Sequence, residues 1–351
     1  LCRKLGQTPD LFTSLVALSR HYGLRGEVET ERELTEQLLA IARTSQDSTL
    51  LLEAYRQMGG HMLNRGRLKE SRAFWERGAS LCSIGQHEHH AYRFGHDPAI
   101  PCLAFLGITL YLLGYPDQAR SPSRKLRGLR TSMTQPASLA LSNCMLAKYA
   151  CIRRDVEATF HHAEAAAKLG DLHGLPSWTA VATALRGWAL IQREQAAEGL
   201  GQLQDGTAAW QARGFTHFVP FFLCLQAEAC LKMKKQKEAT AAVAEASAIV
   251  RSGADGYWMA EVQRLEGELI RAEGQDGGGA EAHFRQAIDT ARGQEAKMLE
   301  LRAAVSLARL WQRQGRRQTA RRVLSEVYER FDEGFGTYDL MEAAALLKAL
   351  D

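Results

Sequence analysis

The sequence contains no G-x-x-x-x-G-K-[ST], so the loop and lysine that cradle nucleotide phosphates are missing. It contains no H-E-x-x-H, and none of its seven cysteines (Cys2, Cys82, Cys102, Cys144, Cys151, Cys224, Cys230) is spaced C-x-x-C. The usual signatures of zinc and dithiol chemistry are therefore absent. The cysteines are odd in number and sit mostly inside apolar helical patterns, which suits buried thiols in a reducing cytoplasm. No apolar run approaches the ~20 residues a bilayer span requires, and no signal peptide opens the chain, so the expectation is a cytoplasmic protein with no membrane role. Alternating β-branched residues are lacking too, which argues against strands. A net charge of +4 on 351 residues is too small to imply nucleic acid, and nucleic acid is not an expected partner.

What the sequence does have is a rhythm. Hydrophobic residues make up 46% and charged residues 24%, ordinary for a chain that buries a core. In "LEAYRQMGGHMLNRGRLKESRAFWERG" the residues Tyr55, Met58, Gly59, Met62, Gly66, Leu68, Ser71, Trp75 and Gly78 fall at set intervals. The same scheme places Leu103, Leu106, Gly107, Leu110, Gly114 and Ala119, and later Ala304, Leu307, Ala308, Trp311, Gly315, Ala320 and Leu324. Positions four, seven, eight and eleven of such a unit share one face of a helix. A small residue at position eight admits a close neighbour, and a glycine near position fifteen takes the turn at little cost.

Eight first helices centre near Leu18, Met58, Leu106, Met145, Arg186, Gln226, Glu266 and Leu307, with steps close to 40 residues except the second, which is 48. Units fall near 11–47, 48–85, 98–135, 136–174, 175–214, 215–255, 256–296 and 297–334, with a capping helix at 335–351 and an enlarged loop at 85–98. Arg153 and Glu194 stand at the turns of the fourth and fifth units. Pro98, Pro101, Pro136, Pro176 and Pro220 lie just before or at the start of first helices, where a missing N–H costs nothing. The expected fold is all-α: one α-solenoid over 1–351, a right-handed superhelix of about eight hairpins in which each unit buries its apolar face against the next. The opening "LCRKLGQTPD" lacks a Met and begins inside an amphipathic pattern, so the chain reads as part of a larger protein.

The Leu/Gly/aromatic/Gly/Ala spacing resembles the tetratricopeptide repeat (TPR), in a long variety of about forty residues. The strings "GHDPAIPCLAFLGITLYLLGYPDQA", "LRGWALIQREQAAEGLGQLQDGTAAW", "YWMAEVQRLEGELI" and "LELRAAVSLARLWQRQGRRQTARRVLSEVYERFDEGFGTYDL" resemble the C-terminal region of bacterial STAND-type signalling ATPases. Many of those proteins carry a nucleotide cyclase or DNA-binding domain at the N-terminus. The resemblance covers nearly the whole chain and is densest from Trp258 to Leu340. It implies a sensor or scaffold that binds a ligand or partner and biases an upstream nucleotide switch. Glu194 and Lys234 depart from it, standing where the family has the turn glycine. With no phosphate loop and no recognisable cyclase carboxylate pair, neither activity is assigned to this chain. No enzymatic function and no cofactor are expected.

Candidate sites follow from the repeat geometry. First-helix residues expected along the concave groove are Arg56, Asn64, Tyr111, Trp188, Glu228, Arg264, Glu268 and Arg309, which mix aromatics with both charge signs. Trp178, Phe218 and Trp258 recur every 40 residues just ahead of equivalent helices, so they belong to one edge of the superhelix. They serve either inter-repeat packing or an apolar strip suited to a peptide or flat ligand. In "GQHEHHAYRFGHDPAIP", His87, His89 and His90 are too crowded for the helical i, i+4 zinc pattern, so no metal site is expected. A solvated connection suits these and His96 better than a partner contact, and Asp97 with Pro98 restarts the solenoid as a helix cap. His162 falls on an apolar seam and reads as a core histidine. Seven arginines of the last unit (Arg302, Arg309, Arg313, Arg316, Arg317, Arg321, Arg322) spread over several faces and read as a solvated exterior.

The function these features favour is a non-catalytic protein-interaction or ligand-sensing TPR module, the regulatory part of a larger signalling ATPase. Its partner would be a protein, a peptide or the parent's own nucleotide-binding domain, with a small-molecule effector as a further option. The alternative is a free-standing adaptor holding a partner's peptide in its groove.

Overall fold

A computed structural model describes residues 8–45, 47–82, 87–274 and 278–351, with the side chains of 8–10 and 87–90 outside the description. Among the described residues every regular element is helical. The first hairpin pairs α1 (Thr8–Arg25) with α2 (Val28–Ser45), and the second pairs α3 (Ser48–Asn64) with α4 (Leu68–Ser80). A short helix α5 (His87–Phe94) precedes the third hairpin of α6 (Ala99–Leu112) and α7 (Arg120–Arg130). Then follow α8 (Pro136–Ile152) with α9 (Val156–His173), α10 (Pro176–Gln192) with α11 (Ala196–Gln211), and α12 (Val219–Lys232) with α13 (Gln236–Arg251). A 3-10 turn at Gly256–Trp258 leads into α14 (Met259–Ala272) and α15 (Gly279–Gly293). The last pair is α16 (Lys297–Arg313) with α17 (Arg317–Tyr328), capped by α18 (Tyr338–Leu350). The fold is an α-solenoid of helical hairpins.

One backbone feature marks each hairpin. The residue between first and second helix has a positive φ at Gly26, Gly66, Gly114, Arg154, Glu194, Lys234, Gly274 and Gly315. The turn signal in the fourth unit is thus Arg154, one residue beyond Arg153. Glu194 and Lys234 hold the glycine conformation without being glycine, at φ 67° and 59°. Helix starts follow local chemistry as well. Asp47 accepts from the amides of Thr49 and Leu50, Asp155 from that of Ala158, and Asp97 from that of Ala99. Pro136 and Pro176 open their helices at the first position. Within the fifth hairpin, α10 and α11 meet backbone to backbone. A Cβ on Gly187 would lie 2.5 Å from the Gly199 carbonyl oxygen, and one on Gly206 would lie 2.4 Å from the Ala184 nitrogen.

Stretch 85–98 departs from the expected enlarged loop, because α5 occupies its centre. Phe94 at the end of α5 is buried and packs edge-on against Phe12, with ring centres 6.3 Å apart. An apolar anchor therefore turns the insertion into a helix. Residues 83–86 lie outside the described residues, as do the side chains of His87, His89 and His90, the crowded histidines.

The superhelix winds tightly enough to meet itself about five units on. The Leu24 carbonyl accepts from the amides of Thr216 (2.8 Å) and His217 (3.1 Å). In the next unit a Cβ on Gly256 would touch the Asn64 carbonyl oxygen at 2.6 Å. The turn at Gly114 packs on Lys297 and Phe331, and Glu333 accepts from the amides of Asp117 and Gln118. Side chains of the chain itself therefore occupy much of the inner side.

Candidate functional site

Where the first two units close against the third to sixth, packing leaves an axial cavity of about 400 Å³, with a smaller chamber of about 90 Å³ beside it. The end of α1 supplies Arg20 and Leu24, and α3 supplies Arg56. Phe105 from α6 and Leu141 and Met145 from α8 form one apolar wall. An aromatic wall adjoins it: Trp178 of α10, Trp210 of α11, and Phe215 and Phe218 from the connection to α12, with Phe218 stacked on Phe105 at 6.3 Å. Trp210 lies nearly parallel to Phe218 at 5.9 Å and tilted to Phe215 at 4.8 Å.

That connection is held against strain. Phe218 has φ 75°, unusual for a bulky side chain, and Asp255 has φ 49°. The buried Asp255 carboxylate accepts from the Phe218 amide at 2.6 Å and contacts His217 Nδ1 at 2.7 Å. Burial alone would raise its pKa, but His217, Lys148 and the Phe218 amide together hold it below the usual value. Strained backbone fixed by a buried carboxylate positions the aromatic wall rigidly.

Arg20 and Arg56 bring positive charge to an otherwise apolar enclosure. Glu53, buried behind the wall, engages Arg56 through Nε and Nη2 at 2.6 to 2.9 Å. Arg20 donates from Nη1 to the Phe94 carbonyl (3.1 Å) and meets His96 Nδ1 at 2.9 Å; no carboxylate bridges it among the described residues. Burial, then Arg56, lowers the Arg20 pKa. Burial followed by the two arginines pushes His96 well below 6.5, so His96 is neutral. With Nδ1 accepting from Arg20, its proton lies on Nε2. In the smaller chamber Asn64 Oδ1 and Trp75 Nε1 are buried without a hydrogen-bond partner among the described residues.

Beneath the cavity, one turn along α8 from Met145, Lys148 is fully buried. Its ammonium lies 3.4 Å from the ring centre of Phe218 and 3.2 Å from the Tyr257 hydroxyl, with Phe105 and Phe221 at 5.6 and 5.3 Å. Burial pulls its pKa down to about 7, while Asp255 opposes the shift.

A second hollow, a charged crevice of about 290 Å³, runs along the inner side of the later units. Arg154 pairs with Glu228 through two bonds of 2.7 and 2.9 Å, and Arg264 reaches Glu228 and Glu261 at 2.6 Å each. Burial opposes ionisation of Glu228, but Arg154 and Arg264 outweigh it and hold the carboxyl far below its usual range. Arg302 grips Asp339 of α18 through two bonds of 2.9 Å and donates to the Ile152 carbonyl at 2.6 Å. Tyr111 donates to the same carboxylate at 2.7 Å. These charges satisfy one another and clasp α6, α8 and α16 to the capping helix.

The residues expected along one groove thus separate. Arg56, Trp178 and Phe218 line the axial cavity, and Asn64 lines its smaller chamber. Trp188, Glu228, Arg264, Glu268 and Arg309 border the charged crevice. Tyr111 and Trp258 line neither hollow: Tyr111 is buried in the clasp, and Trp258 packs edge-on against Phe221 at 5.3 Å. The 40-residue register holds in part, since Trp178 and Phe218 meet through Trp210 while Trp258 joins the core. Arg20, His96, Phe105, Trp210, Phe215 and His217 were not anticipated. Only Phe215 and His217 carried a local signal, flanking Phe218.

Two further expectations are corrected. His96 is no solvated passenger, because its bond to Arg20 draws it into the cavity wall. Of the last unit's arginines only Arg302 leaves the expected solvated exterior, while Arg309, Arg313, Arg316, Arg317, Arg321 and Arg322 are exposed. Arg302 is buried, Arg309 pairs with Glu342, Arg316 with Glu281 and Arg321 with Asp351, and Arg317 caps the Ala349 carbonyl. His162 is buried on its seam, with its pKa lowered to about 4 by burial and by Arg130. Six cysteines are free and Cys2 lies outside the described residues. Among the described residues no His/Cys/Asp/Glu group is arranged to hold a metal, and no helix is long and apolar enough to cross a membrane.

No protein-family model matches the chain, and no curated protein does. Among solved structures it is similar to a Rap protein complexed with competence and sporulation factor, with a TM-score of 0.58, 11% identity, and 97% of this chain and 98% of that one covered. It is also similar to aspartyl phosphate phosphatase F from Bacillus subtilis, with a TM-score of 0.52, 11% identity, and 91% and 93% covered. A STAND protein with a tetratricopeptide repeat sensor, from Pyrococcus horikoshii, aligns at a TM-score of 0.47 and 11% identity over 98% of this chain and 50% of that one. At these identities the likeness is one of fold.

Proposed function

We propose that this array is a non-catalytic, ligand-sensing TPR module whose ligand occupies the axial cavity. The observation that carries the reading is where the cavity lies. Its walls come from chain segments nearly 200 residues apart, Arg20 and Leu24 on one side and Phe215 to Phe218 on the other. A ligand bound there would favour the closed winding over looser ones and so shift the population of the whole array. The Rap protein of similar fold was solved with its competence and sporulation factor, which supports a ligand-binding role for such a solenoid. The resemblance to STAND-type ATPases supports a coupling in which the winding biases a nucleotide-binding domain of a longer parent.

The test is thermal unfolding of the purified chain with the low-molecular-mass fraction of a bacterial extract. A ligand at 100 times its Kd stabilises by about 2.7 kcal/mol, or about 4 °C at the entropy expected for this length. Ser177 lines the cavity, and Ser177→Trp fills it. The rise in Tm should vanish in that variant. An equal rise in both proteins would refute the cavity as the sensing site. For the coupling, adding the array to its parent's ATPase portion should change nucleotide turnover in a ligand-dependent way.

A further inference from the structure

The cavity wall is uneven in charge. Of the described residues lining the larger chamber, Arg20 and Arg56 are the cations, and no carboxylate is among them. Glu53 is committed to Arg56 and makes no bond to Arg20. In the adjoining chamber Glu31 faces His61 at 3.3 Å. Arg20 therefore brings one positive charge that the described residues leave unbridged. It spends one nitrogen, Nη1, on Phe94 and His96. Its fork is planar and suits an oxyanion with two oxygens. His96, kept neutral with its proton on Nε2, adds a donor and no negative charge. The same cavity is lined by Trp178, tilted against Trp210, and by Phe218, stacked on Trp210, which offer flat faces and no acceptor side chain.

We propose that the axial cavity binds a small organic monoanion, an aromatic or branched apolar carboxylate. Its carboxylate sits at Arg20 and Arg56, and its apolar body lies against Trp178, Trp210 and Phe218. About 400 Å³ falls at the lower end of small-molecule pockets and admits a compact ring system. The inference rests on the ligand-sensing reading and adds the chemical class of the ligand.

Calorimetric titration of the full chain with 2-naphthoate and its neutral isostere 2-naphthamide tests it. A charge-assisted bidentate contact predicts that naphthoate binds roughly tenfold to hundredfold tighter. Arg20→Gln should abolish that preference while leaving naphthamide binding unchanged. If Arg20→Gln does not fold, Arg20→Lys keeps the charge and loses the fork, and should narrow the preference. Equal binding of the two probes to the native chain overturns the anion assignment while leaving the cavity a ligand site. Tight binding of a tripeptide ending in a free carboxylate, with no binding of naphthoate, overturns the small-molecule class. If neither probe binds at millimolar concentration the proposal falls, and an unchanged Tm response in Ser177→Trp would remove the sensing reading with it.

Discussion

Replacing Lys148 by methionine should stabilise this protein, and the gain should depend on pH in a defined way. The side chain is fully buried, and its ammonium has a phenol oxygen and aromatic faces as neighbours in place of a bridging carboxylate. Burial lowers its pKa from 10.5 to about 7. At about 1.36 kcal/mol per tenfold, that gap sets a ceiling of about 5 kcal/mol on the cost of keeping the ammonium charged in the core. The face-on contact with Phe218 returns about 2 kcal/mol, leaving about 3. Methionine has a similar length, no charge and an affinity for aromatic surroundings, so it fills the same space. Between pH 7 and 10.5 the unfolded chain holds a proton on this amine that the folded chain has released. Wild-type stability therefore rises across this interval through Lys148, and the variant lacks that contribution. The advantage of Lys148→Met should be about 3 kcal/mol near pH 6 and should shrink steadily towards pH 10. Urea unfolding followed by circular dichroism, with both proteins in the same buffers, measures the difference and cancels the titrating groups that do not interact with Lys148. A difference that stays constant over this range, or a variant less stable than wild type at pH 6, would refute the argument.

Other consequences follow from the turns, the helix seams and the clasp. Glu194→Gly and Lys234→Gly should each stabilise by about 1 kcal/mol, because both positions hold a left-handed backbone that costs an L-residue about that much. Denaturant midpoints will show it, and a loss of stability would mean the side chains contribute more than the strain. Gly206→Ala should cost several kcal/mol, since its methyl would meet the α10 backbone, whereas Gly201→Ala, with open space around it, should be neutral or gain about 1 kcal/mol. Similar midpoints for the two would deny the close helix contact. Asp339→Asn should cost about 3–5 kcal/mol by leaving Arg302 buried without its counter-ion, against about 1 for Tyr111→Phe. Burial would raise the Asp339 pKa, but Arg302 and Arg154 hold it below 3.8, so its contribution is present above that pH and lost as pH falls through the lower folded value. Small-angle scattering should show Asp339→Asn expanding as the clasp opens, and an unchanged radius would remove the clasp from the account of winding.

The hairpins were legible because their causes are local. A helical face repeats every few residues, and each turn needs one left-handed residue, so the 40-residue spacing could be read even through Glu194 and Lys234. Arg153 lies in the turn of the fourth unit as expected, and the left-handed residue is the next one, Arg154. Helix α5 escaped because its anchor, Phe94 against Phe12, joins residues that no periodicity relates. The residues that the repeat pattern assigns to one open groove divide between two hollows and the core. Tyr111 and Trp258 fit the periodic pattern yet end up buried, Tyr111 against Asp339 of the capping helix and Trp258 against Phe221 of the neighbouring hairpin.

Sequence alone determined that this protein is an α-solenoid of about eight hairpins with a terminal capping helix, since every part of that statement is written in contacts between neighbouring repeats. The tertiary structure decided how tightly the array winds. Small rotations between successive units accumulate, and no single unit encodes their sum. That winding brings Leu24 to Thr216 and Tyr111 to Asp339, seals charges into the crevice, and leaves the Arg20 cavity where distant units meet.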